Sequence, residues 1–240
     1  MNRWVLPLIG LVGAVLGAVA VLAFDRASPS ALGGADKARV ERVVRDYVLA
    51  HPELIPEAMQ RLQDRESAKA VKAVRGDVVE PFGGAWTGNP RGDVTLVEYF
   101  DYNCGYCRAA LPLLKQLVQR DPKLRIVYRE LPILAESSRA AARASLLAAS
   151  QNKFSAFHDA LYAGGPVSDA TIAAAAARAG VDLRQAPAFK AKADAEIARN
   201  MKTAAQLGLS GTPSWVVGDR VLAGALPIED IEAAIKAARQ

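Results

Sequence analysis

The sequence predicts an α/β fold with an all-helical insertion, preceded by an N-terminal hydrophobic segment and a helical arm. A strand-like apolar stretch at 94–100 runs directly into a helix, and a second strand-like stretch follows at 124–131. An Ala-rich block at about 136–207 favours helix, and a strand hairpin and a helix follow it. The main domain, expected over 81–240, has about 160 residues, which is enough to bury one core.

Two cysteines, Cys104 and Cys107, are the only ones in the chain, and they lie where the first strand meets its helix. At the helix N-terminus, unpaired backbone N–H groups and the helix dipole favour the thiolate of the first cysteine. The second lies three residues on, on the same helix face, and can attack a mixed disulfide from within the molecule. The pair, with Gly105 and Tyr106 between its cysteines, therefore indicates thiol–disulfide exchange.

Other roles for the cysteine pair have less support. A structural zinc site needs about four Cys or His ligands, and the chain adds only His51 and His158, both far away in sequence. Haem attachment needs a histidine directly after the second cysteine, where this chain has Arg108. A purely structural disulfide stays open, although so short a ring removes little entropy from the unfolded chain. We therefore predict no metal site and no cofactor.

An unbroken apolar run occupies residues 4–24, and a single basic residue, Arg3, precedes it. This arrangement places the N-terminus in the cytoplasm, so everything after Asp25 is expected to be exported. The run exceeds the ~7–15 residues of a signal-peptide core and approaches the ~20 that span a bilayer. We therefore predict a signal-anchor helix over 1–24, favoured as uncleaved, and a linker over 25–34. Export matters because disulfides form in oxidising compartments.

The formal net charge is +5 at pH 7, and the basic residues are dispersed among acidic ones. A nucleic-acid interface needs a basic stripe with interleaved aromatic residues or a recognisable motif, and the sequence has neither. We therefore expect no nucleic-acid partner.

Residues 35–80 predict a helical arm made of two helices. An apolar stripe with helical spacing marks the first helix: Val40, Val43, Val44, Tyr47 and Val48. Pro52 ends it and starts a second helix that continues to about Val74, and His51 in the break is expected to be a turn residue. Helices this short cannot bury such a stripe alone. The arm is therefore expected to pack on the main domain or to form a homo-oligomer.

The remaining elements are predicted from composition and turn signals. They are a short edge strand near Trp86, the Cys helix to about 119, four insertion helices at 141–149, 154–162, 169–179 and 188–206, a hairpin of 214–217 and 220–223 around Gly218-Asp219, and a closing helix at 228–238.

These motifs resemble the DsbA family of exported thiol–disulfide oxidoreductases, which have a thioredoxin fold. The resemblance lies in Phe100-Asp101-Tyr102-Asn103-Cys104-Gly105-Tyr106-Cys107, in the helical insertion, and in Gly211-Thr212-Pro213 before a strand. The segment from Val44 to Ala58, with its His51-Pro52-Glu53, is similar to the N-terminal region of ScsC-like members. Together the resemblance covers roughly residue 35 to the C-terminus.

The resemblance implies that Pro213 follows a cis peptide bond and packs against the cysteine pair. The backbone of Thr212 is then free to pair with an extended substrate segment, as in strand addition; an ordinary turn proline is the alternative. Glu98, six residues before Cys104 in an apolar strand, matches an acid of the family. A partly desolvated carboxyl there has a raised pKa and can exchange a proton with Cys107, whereas an edge-exposed Glu would have no such role.

Strongly oxidising members of the family carry Pro-His between the cysteines, where this chain has Gly105-Tyr106. This difference weakens the expectation of a strongly oxidising potential. Thr212 is the residue type found before the cis proline in isomerase-like members, which favours isomerisation as well as oxidation. His158 is expected to be a surface residue of the insertion and not a substitute catalytic histidine.

We therefore predict a periplasmic thiol–disulfide oxidoreductase, tethered to the inner membrane, that forms or isomerises disulfides in exported protein substrates. Cys104 attacks, Cys107 resolves the mixed disulfide, and Glu98 moves the proton. A DsbB-like or DsbD-like membrane partner is expected to reset the pair. Two alternatives stay open. One is a copper-protective thiol protein or partner-specific reductase, since thiolates select Cu(I). The other is a chaperone or oligomeric scaffold without enzymatic activity.

Overall fold

The computed structural model describes residues 34–240, which fall in two compact units, Met1–Met59 and Gln60–Gln240. The predicted signal-anchor helix over 1–24 and the linker over 25–34, apart from its last residue, lie outside the described residues. Within residues 34–240, no helix has the length and the apolar composition needed to cross a bilayer.

The described part of the first unit consists of helix α1 (Gly34–Ala50) and the start of helix α2 (Leu54–Val79). The two predicted arm helices are therefore present. His51 lies in the break between them, where its ring contacts the ring of Tyr47 at 4.5 Å between centroids. The α1 stripe is exposed: between 47% and 62% of the surface of Val40, Val43, Val44 and Tyr47 is accessible.

The second unit contains a five-stranded sheet with the strand order β1-β3-β2-β4-β5. The strands are β1 (Trp86–Gly88), β2 (Val94–Phe100), β3 (Leu124–Glu130), β4 (Ser214–Val217) and β5 (Arg220–Ala223). β2 and β3 are parallel, and the other pairs are antiparallel. A parallel pair needs a crossover connection, which helix α3 (Gly105–Arg120) supplies. The β4–β5 hairpin turns at Gly218, whose φ of +59° suits glycine.

The insertion contains four α-helices, as predicted. They are α4 (Glu136–Ser150), α5 (Phe154–Ala163), α6 (Asp169–Ala179) and α7 (Ala186–Gln206), with a short 3-10 helix, Leu183–Gln185, before α7; helix α8 (Ile228–Ala237) closes the chain. Helix α4 begins at Glu136, five residues before the predicted start at 141. Helix α6 has clear ends: the Ser168 hydroxyl caps its N-terminus, and Gly180, with φ +69°, follows its last turn.

The sheet is buried on both faces, because successive side chains of a strand point to opposite sides. In β2, Leu96 and Phe100 join a core with α3, α4 and α5. Val97 and Tyr99 join a second core on the other face, which includes Val71, Val74 and Val78 of α2. The C-terminal half of α2, within the predicted arm, therefore supplies the back of the sheet.

A buried arginine strengthens this second face. Arg129 of β3 is 1% exposed, and its guanidinium donates to Glu196 Oε1 at 2.7 Å and to the carbonyl oxygen of Val78 at 3.2 Å. It also donates to the carbonyl oxygen of Glu80. One side chain thereby connects the sheet, helix α7 and the end of α2.

Candidate active site

The two cysteines lie at the N-terminus of α3, the position that the sequence predicts. Cys104 is the N-cap residue, with extended backbone (φ −80°, ψ 115°), and its sulfur accepts a hydrogen bond from the backbone N–H of Cys107 at 3.4 Å. Both thiols are free and buried. Between them, Gly105 has open space where a side chain would lie, and Tyr106 is 68% exposed. The amide end of the helix is therefore directed at the Cys104 sulfur.

The loop before β4 completes the surroundings of this sulfur. The Thr212–Pro213 peptide bond is cis, and the Cys104 thiol donates a hydrogen bond to the carbonyl oxygen of Thr212 at 3.2 Å. The hydroxyl oxygen of Thr212 is buried and has no hydrogen-bond partner among the described residues. The structure thus brings Cys104 next to the Thr212–Pro213 bond, which lies more than a hundred residues further along the sequence.

Glu98 lies in the middle of β2, a central strand, and is 2% exposed. An edge-exposed glutamate, the alternative that the sequence leaves open, is therefore wrong. One carboxyl oxygen, Oε1, has no hydrogen-bond partner among residues 34–240. Burial, with a smaller contribution from the nearby charge of Cys104, raises the pKa of Glu98 to about 8. The carboxyl therefore holds a proton near neutral pH.

Burial likewise raises the pKa of the Cys107 thiol, and the charge of Glu98 is the next largest cause. Each group thus resists losing its proton while the other is charged. A proton that leaves one of them is most favourably held by the other. This electrostatic coupling favours a proton shared between the two groups.

Asp101 organises the loop before the cysteines, a role that the sequence analysis did not assign. Its carboxylate accepts the backbone N–H of Asn103, Ile133 and Leu134, each at 2.9 Å, and its carbonyl oxygen accepts the Cys104 N–H at 2.9 Å. Asp101 therefore ties the Cys104 amide to the loop after β3. An Asp three residues before a helix N-cap is the available signal, since its side chain commonly satisfies turn amides.

A buried chain of hydrogen bonds extends from Tyr102 into the insertion. The Tyr102 hydroxyl donates to Ser145 Oγ at 2.9 Å, and Ser145 donates to Glu130 Oε1 at 2.8 Å. The same hydroxyl lies 3.0 Å from His158 Nδ1. Burial raises the pKa of Glu130 to about 7. Neither Glu130 nor Ser145 was predicted from the sequence, although Glu130 shares the inward face of β3 with Tyr128 by strand alternation.

His158 is not a surface residue, and that prediction is wrong. It is 3% exposed, and its ring stacks on Phe154 and meets Phe100 edge-on, at centroid distances of 5.0 and 4.9 Å. Burial lowers the pKa of His158 to about 3, so the ring stays neutral. The prediction failed because it considered the residue type alone and not its helical position.

No group of three or more His, Cys, Asp or Glu residues among the described residues is arranged to hold a metal ion. The polar groups around the sulfurs are a carboxyl, a carbonyl and backbone amides. They suit proton transfer and backbone pairing.

Comparison with known families gives two matches. The DSBA-like thioredoxin domain family matches residues 95–236. The family described as the copper resistance protein ScsC N-terminal domain matches residues 36–69.

Solved structures give a consistent result. A thioredoxin-like oxidoreductase from Silicibacter pomeroyi DSS-3 has a TM-score of 0.65 and 41% identity, over 69% of this chain and 97% of its own. A linker-deletion mutant of Proteus mirabilis ScsC has a TM-score of 0.65 and 26% identity, over 88% of this chain and 99% of its own. A periplasmic thioredoxin-like protein from Salmonella enterica serovar Typhimurium has a TM-score of 0.61 and 29% identity, over 69% and 95%.

Two curated relatives are the Na(+)/H(+) antiporters NhaA 1 of Salinispora arenicola and NhaA 3 of Salinispora tropica, each 33% identical over 150 residues. The aligned part is 60% of this chain and 23% of each antiporter. The chain therefore spans less than a quarter of the length of these relatives.

Proposed function

This chain belongs to the DsbA-like thioredoxin domain family, with an ScsC-type N-terminal domain, and we propose that it forms or isomerises disulfides in exported proteins. The predicted family resemblance and thioredoxin fold are confirmed, and the family is one of thiol–disulfide oxidoreductases. The observation that carries the proposal is the position of the Cys104 sulfur. It lies between the Cys107 amide and the Thr212 carbonyl, and its charge raises the pKa of the buried Glu98.

In isomerisation, the Cys104 thiolate attacks one sulfur of a wrong substrate disulfide. A mixed disulfide forms, and the other substrate sulfur leaves as a thiolate. When that thiolate, or another substrate thiolate, attacks the substrate sulfur of the mixed disulfide, Cys104 is released and no net electrons are transferred. Cys107 provides an escape route, since its thiolate can attack Cys104 and release a substrate reduced by two electrons.

In oxidation, a substrate thiolate attacks the Cys104 sulfur of the Cys104–Cys107 disulfide. Cys107 then leaves as a thiolate and takes up a proton. A second substrate thiolate closes the substrate disulfide, and the enzyme keeps the two electrons. Glu98 supplies the proton to Cys107 in this direction and receives it in the reverse direction, in agreement with the raised pKa of both groups.

Thr212 and Pro213 align the substrate. A cis proline lacks an N–H donor, and the Thr212 backbone beside it lies within hydrogen-bond distance of the reacting sulfur. An extended substrate segment that pairs with this backbone has its cysteine next to Cys104, which is strand addition at a reactive centre. Gly105 and the exposed Tyr106 leave the approach to the sulfur open.

The proposed location of this chain is the periplasm, and the similar Salmonella protein is described as periplasmic. Residues 1–24 are proposed to form its membrane anchor. A DsbB-like or DsbD-like membrane protein is the proposed redox partner.

We also propose that the chain forms a homo-oligomer through the exposed stripe of helix α1, which consists of Val40, Val43, Val44 and Tyr47. Four large apolar side chains on one short helix gain stability when they are buried against another chain.

A second candidate is a copper-protective thiol protein, and the match of residues 36–69 to the copper resistance protein ScsC N-terminal domain favours it. Soft thiolates select Cu(I), and both thiols are free. Stoichiometric Cu(I) uptake by the reduced protein, lost in Cys104→Ser, would support this candidate.

The first test is the reduction potential of the full chain against glutathione, measured together with its mass in solution. A reduction potential of about −120 mV, as for strong oxidants, would contradict isomerisation. A monomeric mass would contradict oligomerisation. A potential of about −180 mV or below with an oligomeric mass would support both. Absence of any exchange with glutathione would contradict the proposed function itself.

A further inference from the structure

A cavity of about 300 Å³ lies directly beside the cis proline. It is lined by loop residues 207–214 and by Gln63 and Ser67 of α2. Val221 and Ala223 of β5 line it as well. Thr212 lines the cavity, and its carbonyl oxygen accepts the hydrogen bond of the Cys104 thiol. The cavity therefore begins at the residue that contacts the reacting sulfur.

The polar lining of the cavity is entirely neutral. The polar residues that line it are Gln63, Ser67, Ser210, Thr212 and Ser214, and no Asp, Glu, Lys, Arg or His is among the lining residues. A charged group that entered would lose its hydration without gaining an opposite charge, which is costly. The cavity therefore selects against charged side chains.

Two of these hydroxyls differ in their hydrogen bonding. The Ser214 hydroxyl is already used, because it donates to the carbonyl oxygen of Gly211 at 2.7 Å. The Thr212 hydroxyl oxygen is buried without a partner in the described part of the chain. A buried polar group left unpaired costs free energy that a ligand group can recover. A purely apolar occupant would leave this cost in place.

We propose that this cavity is a subsite for a neutral amide side chain, Asn or Gln, that flanks the reacting cysteine of the substrate. An amide offers both a donor and an acceptor, so it can pair with the Thr212 hydroxyl and with Gln63 at the same time. The inference rests on the proposed function and deepens it, because it names a sequence feature of the preferred substrates. The arm helix α2 thereby takes part in substrate selection.

The experiment uses the full chain and synthetic peptides that each carry one cysteine as a mixed disulfide with glutathione. The residues flanking the cysteine are varied among Asn, its near-isosteres Asp and Leu, and Lys, and the second-order rate constant of exchange is measured. We expect the best Asn peptide to react about tenfold faster than its Asp, Leu and Lys counterparts, a typical effect of one satisfied buried polar group. Equal rates for all four residues at every flanking position would overturn the inference.

Variants locate the preference in the cavity. Thr212→Val keeps the shape and removes the hydroxyl, so the ratio of the Asn rate to the Leu rate should fall close to one, whereas Thr212→Ser should keep it. Gln63→Glu places a negative charge in the wall and should raise the Lys rate relative to the Asp rate. Gln116→Glu makes the same change on the exposed side of α3, away from the lining residues, and should leave the ratios unchanged. An unchanged Asn preference in Thr212→Val would contradict the subsite.

The outcomes separate the subsite from the function on which it rests. If no peptide exchanges with the wild-type protein, the proposed function fails. If exchange is fast but indifferent to the flanking residue, the function stands and the subsite is wrong.

Discussion

The hydroxyl of Tyr102 and the carboxyl of Glu130 are connected through one intervening hydroxyl, that of Ser145, with hydrogen bonds of 2.9 and 2.8 Å. All three residues are buried. Because Tyr102 lies two residues before Cys104, this connection fixes the cysteine loop to the sheet and to helix α4.

Replacing Ser145 with Ala should therefore lower the free energy of unfolding by about 1–3 kcal/mol, because the buried Glu130 carboxyl loses its donor and the Tyr102 hydroxyl keeps only His158 as a partner. Urea unfolding at pH 7 measures this change. Ser150→Ala is the matched control on the same helix, since Ser150 donates only to the carbonyl oxygen of Leu147. A loss no larger than that of the control would contradict the role of the connection.

Glu98 should make the protein less stable as the pH rises. Its pKa is raised in the folded state from 4.5 to about 8. The stability associated with the protonated carboxyl is thus complete below pH 4.5 and is lost progressively as the pH rises to about 8. Glu98→Gln should remove this slope and raise the free energy of unfolding by roughly 3 kcal/mol at pH 7. Denaturation profiles between pH 4 and 9 measure this slope, and Glu136→Gln at an exposed position serves as the control. An unchanged slope in Glu98→Gln would show that Glu98 is already ionised in the folded protein.

The two cysteines should give distinct phenotypes. Cys107→Ala leaves the Cys104 thiolate without its resolving partner, so covalent complexes with substrate should accumulate and appear on non-reducing gels. Cys104→Ser should form no such complexes and should reduce disulfide exchange in a scrambled substrate to the uncatalysed rate. A Cys104→Ser variant that still assists refolding would favour the chaperone alternative.

The ion pair of Arg129 and Glu196 predicts a large effect on stability. Both side chains are at most 3% exposed, and Arg129→Met leaves the Glu196 carboxylate with only the half-exposed Arg199 as a cation. We expect a loss of about 3–5 kcal/mol in the free energy of unfolding. The double variant with Glu196→Met should recover only part of it, because the carbonyl oxygens of Val78 and Glu80 still lack the Arg129 donor. Arg143→Met breaks a partly exposed pair with Asp194 and should cost no more than about 1 kcal/mol. Equal losses at the two sites would mean that burial does not decide the effect.

The sequence predicts the central part of the sheet well, because local patterns determine it. The apolar stretch of β2, the cysteine pair at the next helix N-terminus and the Gly-Asp turn of the hairpin all lie where predicted. The cis proline next to Cys104 was accessible only through family resemblance, because a cis bond has no local sequence signature.

Buried polar residues of the insertion were harder to predict. His158 shares a helix face with Phe154, Phe157 and Leu161, at positions i, i+3, i+4 and i+7, and this apolar pattern marks it as buried. Ser145 has no comparable signal, and the position of Asp101 before the N-cap predicts only its local bond to Asn103. The other partners of these two residues come from distant segments, and only the folded chain brings those segments together.

The pairing of β2 with β4 places Trp215 directly opposite Glu98. The indole is 1% exposed, and its N–H is held by the carbonyl oxygen of Gly224 at 3.0 Å, so its surroundings are fixed except for the charge beside it. The emission of a buried indole depends on the electric field of its neighbours. Trp215 fluorescence is therefore expected to respond to the protonation state of Glu98, and it offers an optical test of the proposed proton transfer.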